Sequence, residues 1–181
     1  MSVQGTLDGT GDVVVTKSCE LANSFFAYGE ATEADPNAQP VLRVARGAIV
    51  TLAWGAFEGP RRLHNLGTII AQPGAYLGLS VDSSLQNDGL LLLPPNSGLS
   101  VDNRDSSAPS LINNGELRVL GCMHIAVINV AFVHAGLLNL TASTLRLHGS
   151  STIGGRVTID AASTLNPDGQ VTVAGSAVMT G

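Results

Sequence analysis

Apolar and polar residues alternate over short stretches along most of this chain. Clear examples are Val13/Val15, Leu42/Val44, Leu117/Val119, Leu138/Leu140 and Val171/Val173. A period of two over four or five residues predicts short strands with one buried face. No stretch carries a capped helical face, and residues 31–38, the nearest candidate, are interrupted by Pro36 and Asn37. The pattern therefore predicts an all-β protein.

A repeated turn phrase separates these stretches. Leu-x-Asn-x-Gly ends at Gly67, Gly89 and Gly115, and a degenerate copy ends at Gly136, with intervals of 22, 26 and 21 residues. Self-similarity at a period of about 20 to 50 residues is typical of stacked repeat architectures. Short strands at this density, with small-residue corners such as residues 73–75, favour a parallel β-helix over hairpins. We expect about seven to eight coils with two to three short strands per coil.

The repeated Asn has a structural role in such a coil. Asn65, Asn87 and Asn113 occupy the same corner of successive coils, where their amides can stack into a ladder. His134 takes the equivalent position and forms the last, imperfect rung. Asn also tolerates left-handed backbone angles, which would suit a corner. We favour this structural interpretation over ligand binding.

Length and composition set the wider limits. The 181 residues predict a single β-helix domain over 1–181, with surface loop insertions at 30–40 and 103–109. Only 13% of residues are charged, against about 25% in average globular proteins, so much of the surface must be small and uncharged.

Net charge and the chain start bear on partners. The net charge is −5 and Arg61-Arg62 is the only basic pair, which argues against nucleic acid and against polybasic membrane attachment. The chain also lacks a signal-peptide pattern and an apolar run long enough to insert in a membrane. The sequence therefore indicates a soluble chain or a segment cut from a longer one.

The cysteines are too few for a disulfide scaffold. Cys19 and Cys122 lie far apart in sequence, and a bond would need their Cα atoms within about 7 Å. We favour two free, buried thiols, and the redox compartment stays open.

Residues 128–150 and 153–165 resemble repeats of filamentous-haemagglutinin-like and autotransporter-passenger-like proteins. In both, an Asn-Gly or similar turn is followed by an alternating strand, a small-residue turn, then Thr-Leu and another strand. The likeness covers roughly residues 40–175 and implies a right-handed parallel β-helix. It also implies a cell-surface or extracellular location. Because polysaccharide lyases, phage tailspikes and bactofilins share this fold, the resemblance alone does not assign a function.

Acidic side chains offer the main candidate for site chemistry. Asp82 and Asp102 end two copies of Leu-Ser-Val-Asp, 20 residues apart, and Asp105 lies nearby. If they lay one coil apart, their carboxylates would repel and a bound Ca²⁺ would relieve the repulsion. Arg104 lies among them, as in sugar-cleaving β-helix enzymes. The simpler interpretation is that these are solvated residues at exposed turns, with no cofactor.

Other chemistry finds little support in the sequence. His64, His124, His134 and His148 lack metal-ligand spacing, and no catalytic triad order or phosphate loop occurs. Asn139-Leu-Thr141 matches the glycosylation acceptor pattern.

We therefore expect a non-enzymatic structural or adhesive β-helical rod. Neither end of the repeat carries an amphipathic cap, so the rod would self-associate head to tail into filaments, or continue into a longer stalk. Surface glycans are a further partner class. The alternative is a carbohydrate-binding module or a polysaccharide lyase or hydrolase on the same fold.

Overall fold

Every regular element in the described part of the chain is a β-strand. The computed structural model describes residues 2–8, 11–27, 40–57, 61–79, 83–94, 99–103, 110–121, 125–174 and 178–180. The strands are β1 (Ser2–Asp8), β2 (Val13–Val15), β3 (Ser18–Ala27), β4 (Val41–Val44), β5 (Ile49–Phe57), β6 (Arg62–Asn65), β7 (Thr68–Leu79), β8 (Ser84–Asn87), β9 (Leu90–Leu93), β10 (Leu99–Asn103), β11 (Ser110–Asn113), β12 (Glu116–Leu120), β13 (Ile125–Ile128), β14 (Ala131–His134), β15 (Leu137–Thr141), β16 (Thr144–Leu147), β17 (Ser151–Ile153), β18 (Arg156–Ile159), β19 (Thr164–Pro167), β20 (Val171–Val173) and β21 (Val178–Thr180).

The strands pair in parallel across successive turns of a solenoid. One sheet contains eight strands in the order β2-β4-β6-β8-β11-β14-β17-β20, and each is one turn further along the chain than its neighbour. The pairing is parallel on either side of the Asp88-Gly89 corner, which therefore does not close a hairpin. The predicted all-β parallel solenoid is confirmed.

The remaining strands form a 13-stranded sheet that covers the other two faces of the solenoid. β7 connects these two faces, because it pairs with strands on both of them. The start of β7 pairs with β9, and its end pairs with β10. Between these halves the strand bends at Gly74, whose φ of 71° is in the left-handed region that favours glycine. The corner predicted at residues 73–75 is therefore a bend inside one long strand.

The number of turns is lower than the sequence predicted. The solenoid has about five turns rather than seven to eight. In the early turns β3, β5 and β7 each extend over two faces of the 13-stranded sheet, so a single long strand replaces two short ones.

Inward side chains form aliphatic columns along the solenoid axis. One column runs through Leu42, Leu63, Leu85, Leu111 and Phe132, all at most 3% exposed. Another runs through Val50, Ile69, Leu91, Leu117, Leu138 and Val157. Each such side chain contributes about 1.5–3 kcal/mol on burial, so the columns are the main stabilising element of the fold.

A column of glycines lies at the corner after the eight-stranded sheet. A Cβ placed on Gly89 would lie 2.2 Å from the carbonyl oxygen of Gly67, and one on Gly115 would lie 2.2 Å from that of Gly89. Neither residue has a positive φ. Glycine is therefore required here for the close approach of successive turns, not for an unusual backbone angle.

The predicted loop insertions fall largely outside the described residues. Only Pro40 of the first and Asn103 of the second are described, and Pro40 is buried beside β4. In the described ranges, no helix has the length and apolarity needed to cross a bilayer.

Candidate functional site

Four polar side chains are buried in the middle of the eight-stranded sheet. Asn65, Asn87, Asn113 and His134 end strands β6, β8, β11 and β14, and strand pairing places them in one column. Their exposed fractions are 0%, 0%, 1% and 1%. The same column continues into Val44 on one side and Ile153 on the other, so it is polar over four successive turns and aliphatic beyond them.

Hydrogen bonds join the four side chains in a single direction. Asn65 Nδ2 donates to Asn87 Oδ1 at 2.6 Å, and Asn87 Nδ2 donates to Asn113 Oδ1 at 2.6 Å. Asn113 Nδ2 then donates to His134 Nδ1 at 2.9 Å. Asn87, Asn113 and His134 thus accept from the preceding turn, and the three Asn side chains each donate to the next. We call these four residues the polar ladder.

The second N–H of each amide is also used. Asn65 Nδ2 donates to the Leu90 carbonyl at 3.0 Å, and Asn87 Nδ2 donates to the Glu116 carbonyl at 2.9 Å. Asn113 Nδ2 makes a longer contact of 3.4 Å with the Leu137 carbonyl. These carbonyls belong to residues that pair with one another in adjacent turns. The ladder therefore ties the end of one strand to the start of a strand on the neighbouring face.

Backbone groups close both ends of the ladder. The Gly67 N–H donates to Asn65 Oδ1 at 3.1 Å, where Val44 offers no donor. At the other end, His134 Nε2 lies 3.1 Å from the Arg156 carbonyl. Because an amide N–H can only donate and a carbonyl can only accept, His134 must be the neutral tautomer with its hydrogen on Nε2.

This geometry explains why the last member is a histidine. His134 accepts through Nδ1 and donates through Nε2, which reproduces one acceptor and one donor of the asparagines. An asparagine would have a further N–H directed at the apolar Ile153 of the next turn. His134 therefore ends the ladder without leaving a buried donor unpaired. Its ring also stacks on Phe132, with centroids 5.9 Å apart.

Left-handed backbone angles, expected from the sequence to suit asparagine at this corner, are wrong for these residues. Within the described residues the only positive φ outside glycine is at Ala142. The role of Asn65, Asn87 and Asn113 therefore rests on side-chain hydrogen bonding.

A second polar cluster lies on the outer surface beside the ladder. The His64 Nε2–H donates to Asp88 Oδ2 at 2.6 Å, and Gln86 Nε2 donates to the same oxygen at 2.8 Å. Asn114 Nδ2 donates to Asp88 Oδ1 at 2.8 Å. Partial desolvation raises the pKa of Asp88, but the hydrogen bonds from Asn114, His64 and Gln86 outweigh it, and the net pKa is lowered. The cluster therefore holds an ionised carboxylate across three turns.

The outer cluster was not predicted, although its residues occupy the variable positions of the repeated phrase. The signal was the polar residue next to each ladder Asn, namely His64, Gln86 and Asn114. A similar arrangement was missed at Asp160, which accepts from the backbone N–H of Ala142 and the hydroxyl of Ser163. Asp-Ala-Ala-Ser at a small-residue corner is a recognisable side-chain-capped turn.

Neither polar group forms a recognisable reaction centre. The polar ladder is buried and internally paired, so it presents no free group to a ligand. The hydrogen bonds of the outer cluster include no hydroxyl or thiol that could serve as a nucleophile. Among the described residues, no three His, Cys, Asp or Glu side chains are placed to hold a metal ion.

The strand register does not support the expected equivalence of Asp82 and Asp102. Asp102 pairs with Gly78 in β7, not with Asp82, because this turn has a longer repeat than the Leu-Ser-Val-Asp copies suggested. Asp82 and Asp105 lie outside the described residues, and so does Arg104. Calcium binding by these residues stays a prediction.

The other candidate residues are dispersed. His148 Nδ1 lies 3.4 Å from Asp168 Oδ2 at the exposed far end, and His124 lies outside the described residues. Cys19 is a free, buried thiol whose pKa is raised, mainly by burial, whereas Cys122 lies outside the described residues.

Trp54 and Tyr76 stack on each other in adjacent turns, with ring centroids 6.0 Å apart and an interplanar angle of 20°. Each ring therefore covers one face of the other, and those two faces are not available to stack on a sugar.

The last described turns leave part of the aliphatic core open. Val173 is 58% exposed, although Ile153, its partner one turn earlier, is 1% exposed. A cleft of about 370 Å³ opens here, and its lining is almost entirely apolar: Leu147, Ile153, Ile159, Ser163, Thr164, Leu165, Pro167, Val171 and Val173. We call this surface the apolar tip.

Comparisons with known proteins do not assign the chain to a family. No protein-family model matches it, and neither do any curated protein or any solved structure. A function must therefore be inferred from the fold and from the geometry of the described residues.

Proposed function

We propose that the protein is a non-enzymatic structural rod whose solenoid turns continue end to end. Copies would stack head to tail into filaments, or the turns would continue within a longer β-helical stalk. The observation that carries this proposal is the apolar tip, where one inward column is buried at Ile153 but exposed to solvent at Val173, one turn later. Apolar surface that is exposed where a core column opens is a candidate interaction site.

Backbone pairing supports the same proposal. β20 and β2 are the terminal strands of the eight-stranded sheet, so each has one edge that no described strand occupies. Such edges are templates for adding another strand. A second copy translated along the axis would bring β2 onto β20 in the parallel direction used throughout the solenoid, with the first residues of β1 displaced from the position that β21 occupies.

The side chains of these two edge strands also match. β2 has the sequence Val13-Val-Val15 and β20 has Val171-Thr-Val173. Strand register puts Val13 and Val171 in one inward column, which also contains Ser151, and Val15 and Val173 in the column that contains the polar ladder. A head-to-tail contact would therefore extend both columns with residues of the same size. Contacts of this type do not close on themselves, so they produce filaments.

An extracellular or cell-surface location is part of the proposal. It rests on the resemblance of residues 128–165 to filamentous-haemagglutinin-like and autotransporter-passenger-like repeats, and an adhesive role would follow from display at that surface.

Assembly can be tested by comparing two variants of one strand. Val173→Glu places a charge in the apolar tip, whereas Thr172→Glu places the same charge on the exposed outer face. Light scattering after size exclusion and negative-stain microscopy would follow mass and shape over a concentration series. We expect wild type and Thr172→Glu to form linear assemblies and Val173→Glu to remain monomeric. A wild-type protein that stays monomeric throughout, without filaments, would refute head-to-tail stacking.

A further inference from the structure

The polar ladder has only one arrangement of donors and acceptors. It begins at the Gly67 N–H and ends at the Arg156 carbonyl, and both groups belong to the backbone and cannot reverse their roles. Between them, Asn87 and Asn113 must point their oxygens toward the preceding turn, and all three amides must point their nitrogens toward the following one. The direction of the whole ladder is therefore fixed from both ends.

His134 is the one member of the ladder that can change its hydrogen-bonding capacity. Protonation would add a hydrogen to Nδ1, which would then face the donor Nδ2 of Asn113 at 2.9 Å. Two donors would be opposed in a buried site. Rotating the Asn113 amide would remove this conflict, but its oxygen would then no longer accept from Asn87. Each further rotation would pass the mismatch to the preceding turn until it reached Gly67.

No described charge surrounds His134 to offset a proton. On the preceding turn it faces Asn113, on the following turn Ile153, and within its own strand Phe132. Arg156 contributes its backbone carbonyl, while its side chain is exposed on the outer face. Burial lowers the pKa of His134, and the hydrogen bond to the Arg156 carbonyl opposes this only in part.

We propose that protonation of His134 at acidic pH breaks the hydrogen-bonded column of the polar ladder and destabilises the central turns of the solenoid. The mechanism needs one proton, one buried ring and a ladder that cannot be reversed. It does not depend on whether copies of the chain stack end to end.

The expected pH dependence follows from the direction of the shift. The pKa of His134 in the folded protein lies below its ordinary value of 6.5, so the unfolded chain takes up the proton first as the pH falls. Stability from the neutral ring is complete above pH 6.5 and is lost as the pH falls from 6.5 toward the folded pKa. Over that window the unfolding equilibrium constant should rise by about tenfold per pH unit.

Denaturation across pH 4–8 would test this proposal with His134→Asn and the matched control His148→Asn. The asparagine at 134 keeps one acceptor and one donor and cannot take up a proton, and its further N–H lowers stability equally at every pH in this range. His148 is an exposed histidine near the end of the solenoid. In wild type and in His148→Asn we expect the unfolding equilibrium constant to rise about tenfold for each pH unit of acidification below 6.5. In His134→Asn this rise should be absent. If the unfolding equilibrium constant depended on pH equally in wild type and in His134→Asn, the proposal would be overturned.

Nitrogen NMR of histidine-labelled wild-type protein gives a second test, which does not depend on whether the variant folds. One histidine should remain neutral, with its hydrogen on Nε2, at pH values where exposed histidines are already protonated. Magic-angle spinning would allow the same measurement on assembled rods. If every histidine in the folded protein titrated near 6.5, or if His134 carried its hydrogen on Nδ1, the proposal would be refuted.

Discussion

Replacing Asn87 by valine should be destabilising, although valine occupies this column two turns earlier, at Val44. The substitution removes the acceptor of Asn65 Nδ2 and the donor to Asn113 Oδ1, both at 2.6 Å. Two fully buried polar groups would be left unpaired, at about 1–3 kcal/mol each. Apolar burial of the valine would offset about 1 kcal/mol. We therefore expect a loss of about 1–5 kcal/mol in the free energy of unfolding.

Replacing the whole polar ladder should be much less harmful than the single change implies. With valine at all four positions, no ladder side chain is left with an unpaired polar group, and the main backbone donor to lose its partner is the Gly67 N–H. We expect the fourfold variant to lose no more stability than Asn87→Val alone. This strong departure from additivity is the signature of a mutually satisfied network.

Guanidinium denaturation followed by far-ultraviolet circular dichroism would measure both variants. Asn139→Val is the matched control, because Asn139 is a partly exposed residue on the outer face of β15, and its loss should be within about 0.5 kcal/mol. If Asn87→Val is as mild as this control, or the fourfold variant loses the sum of its single changes, the buried hydrogen bonds of the ladder do not contribute to stability as a coupled network.

Three further outcomes follow from the structure. Gly115→Ala should cost about 1–3 kcal/mol or more in a thermal melt, because its Cβ would lie 2.2 Å from a carbonyl oxygen, whereas Gly11→Ala, with open space around it, should be neutral. Asp88→Asn should reduce the loss of stability at acidic pH. Because the pKa of Asp88 is lowered in the folded protein, the contribution of this carboxylate to stability is complete above its ordinary pKa of 3.8 and disappears as the pH falls through the folded pKa. Denaturation at pH 2–5 would measure the difference. In a Cys122→Ser background, Cys19 should react with a thiol reagent only as fast as the protein unfolds, and rapid labelling under native conditions would contradict its burial.

Local sequence patterns were sufficient to predict the strands and their stacking. Alternation with a period of two identifies the buried face of each strand, and the regular spacing of Gly67, Gly89 and Gly115 indicates that the strands recur once per turn. These features depend on residues close together in the chain. The equivalence of Asn65 and Asn87 followed from the same spacing, because the repeated phrase includes both the ladder residue and the glycine that permits close approach.

Register between turns could not be predicted where the repeat length changes. The two Leu-Ser-Val-Asp copies suggested that Asp102 stacks on Asp82, but backbone pairing sets Asp102 against Gly78. A short sequence match cannot decide between such alternatives, because parallel pairing responds to the length of the intervening segment as well as to similarity. The bend at Gly74, which joins two faces in one strand, was hidden for the same reason: a glycine after proline is equally compatible with a corner.

The tautomer of His134 depends on information that is spread over three turns. It requires a donor from Asn113, an acceptor at Arg156 and the absence of a polar partner at Ile153. In the sequence, His134 is a single departure from a repeated Asn. Only the strand register shows that it is the last polar residue of its column and that its two nitrogens suit that position.

The polar ladder also addresses a problem that aliphatic columns leave unsolved. Leucine and valine stack equally well on any neighbouring leucine or valine, so a solenoid built only from them would tolerate a slip of one whole turn. A slip here would set the amide nitrogen of an Asn against Ile153 and leave a buried N–H unpaired, at about 1–3 kcal/mol. The fourfold valine variant should therefore keep much of its stability but lose uniqueness of register. Broader backbone NMR signals in that variant than in wild type would distinguish a register-setting role from a purely stabilising one.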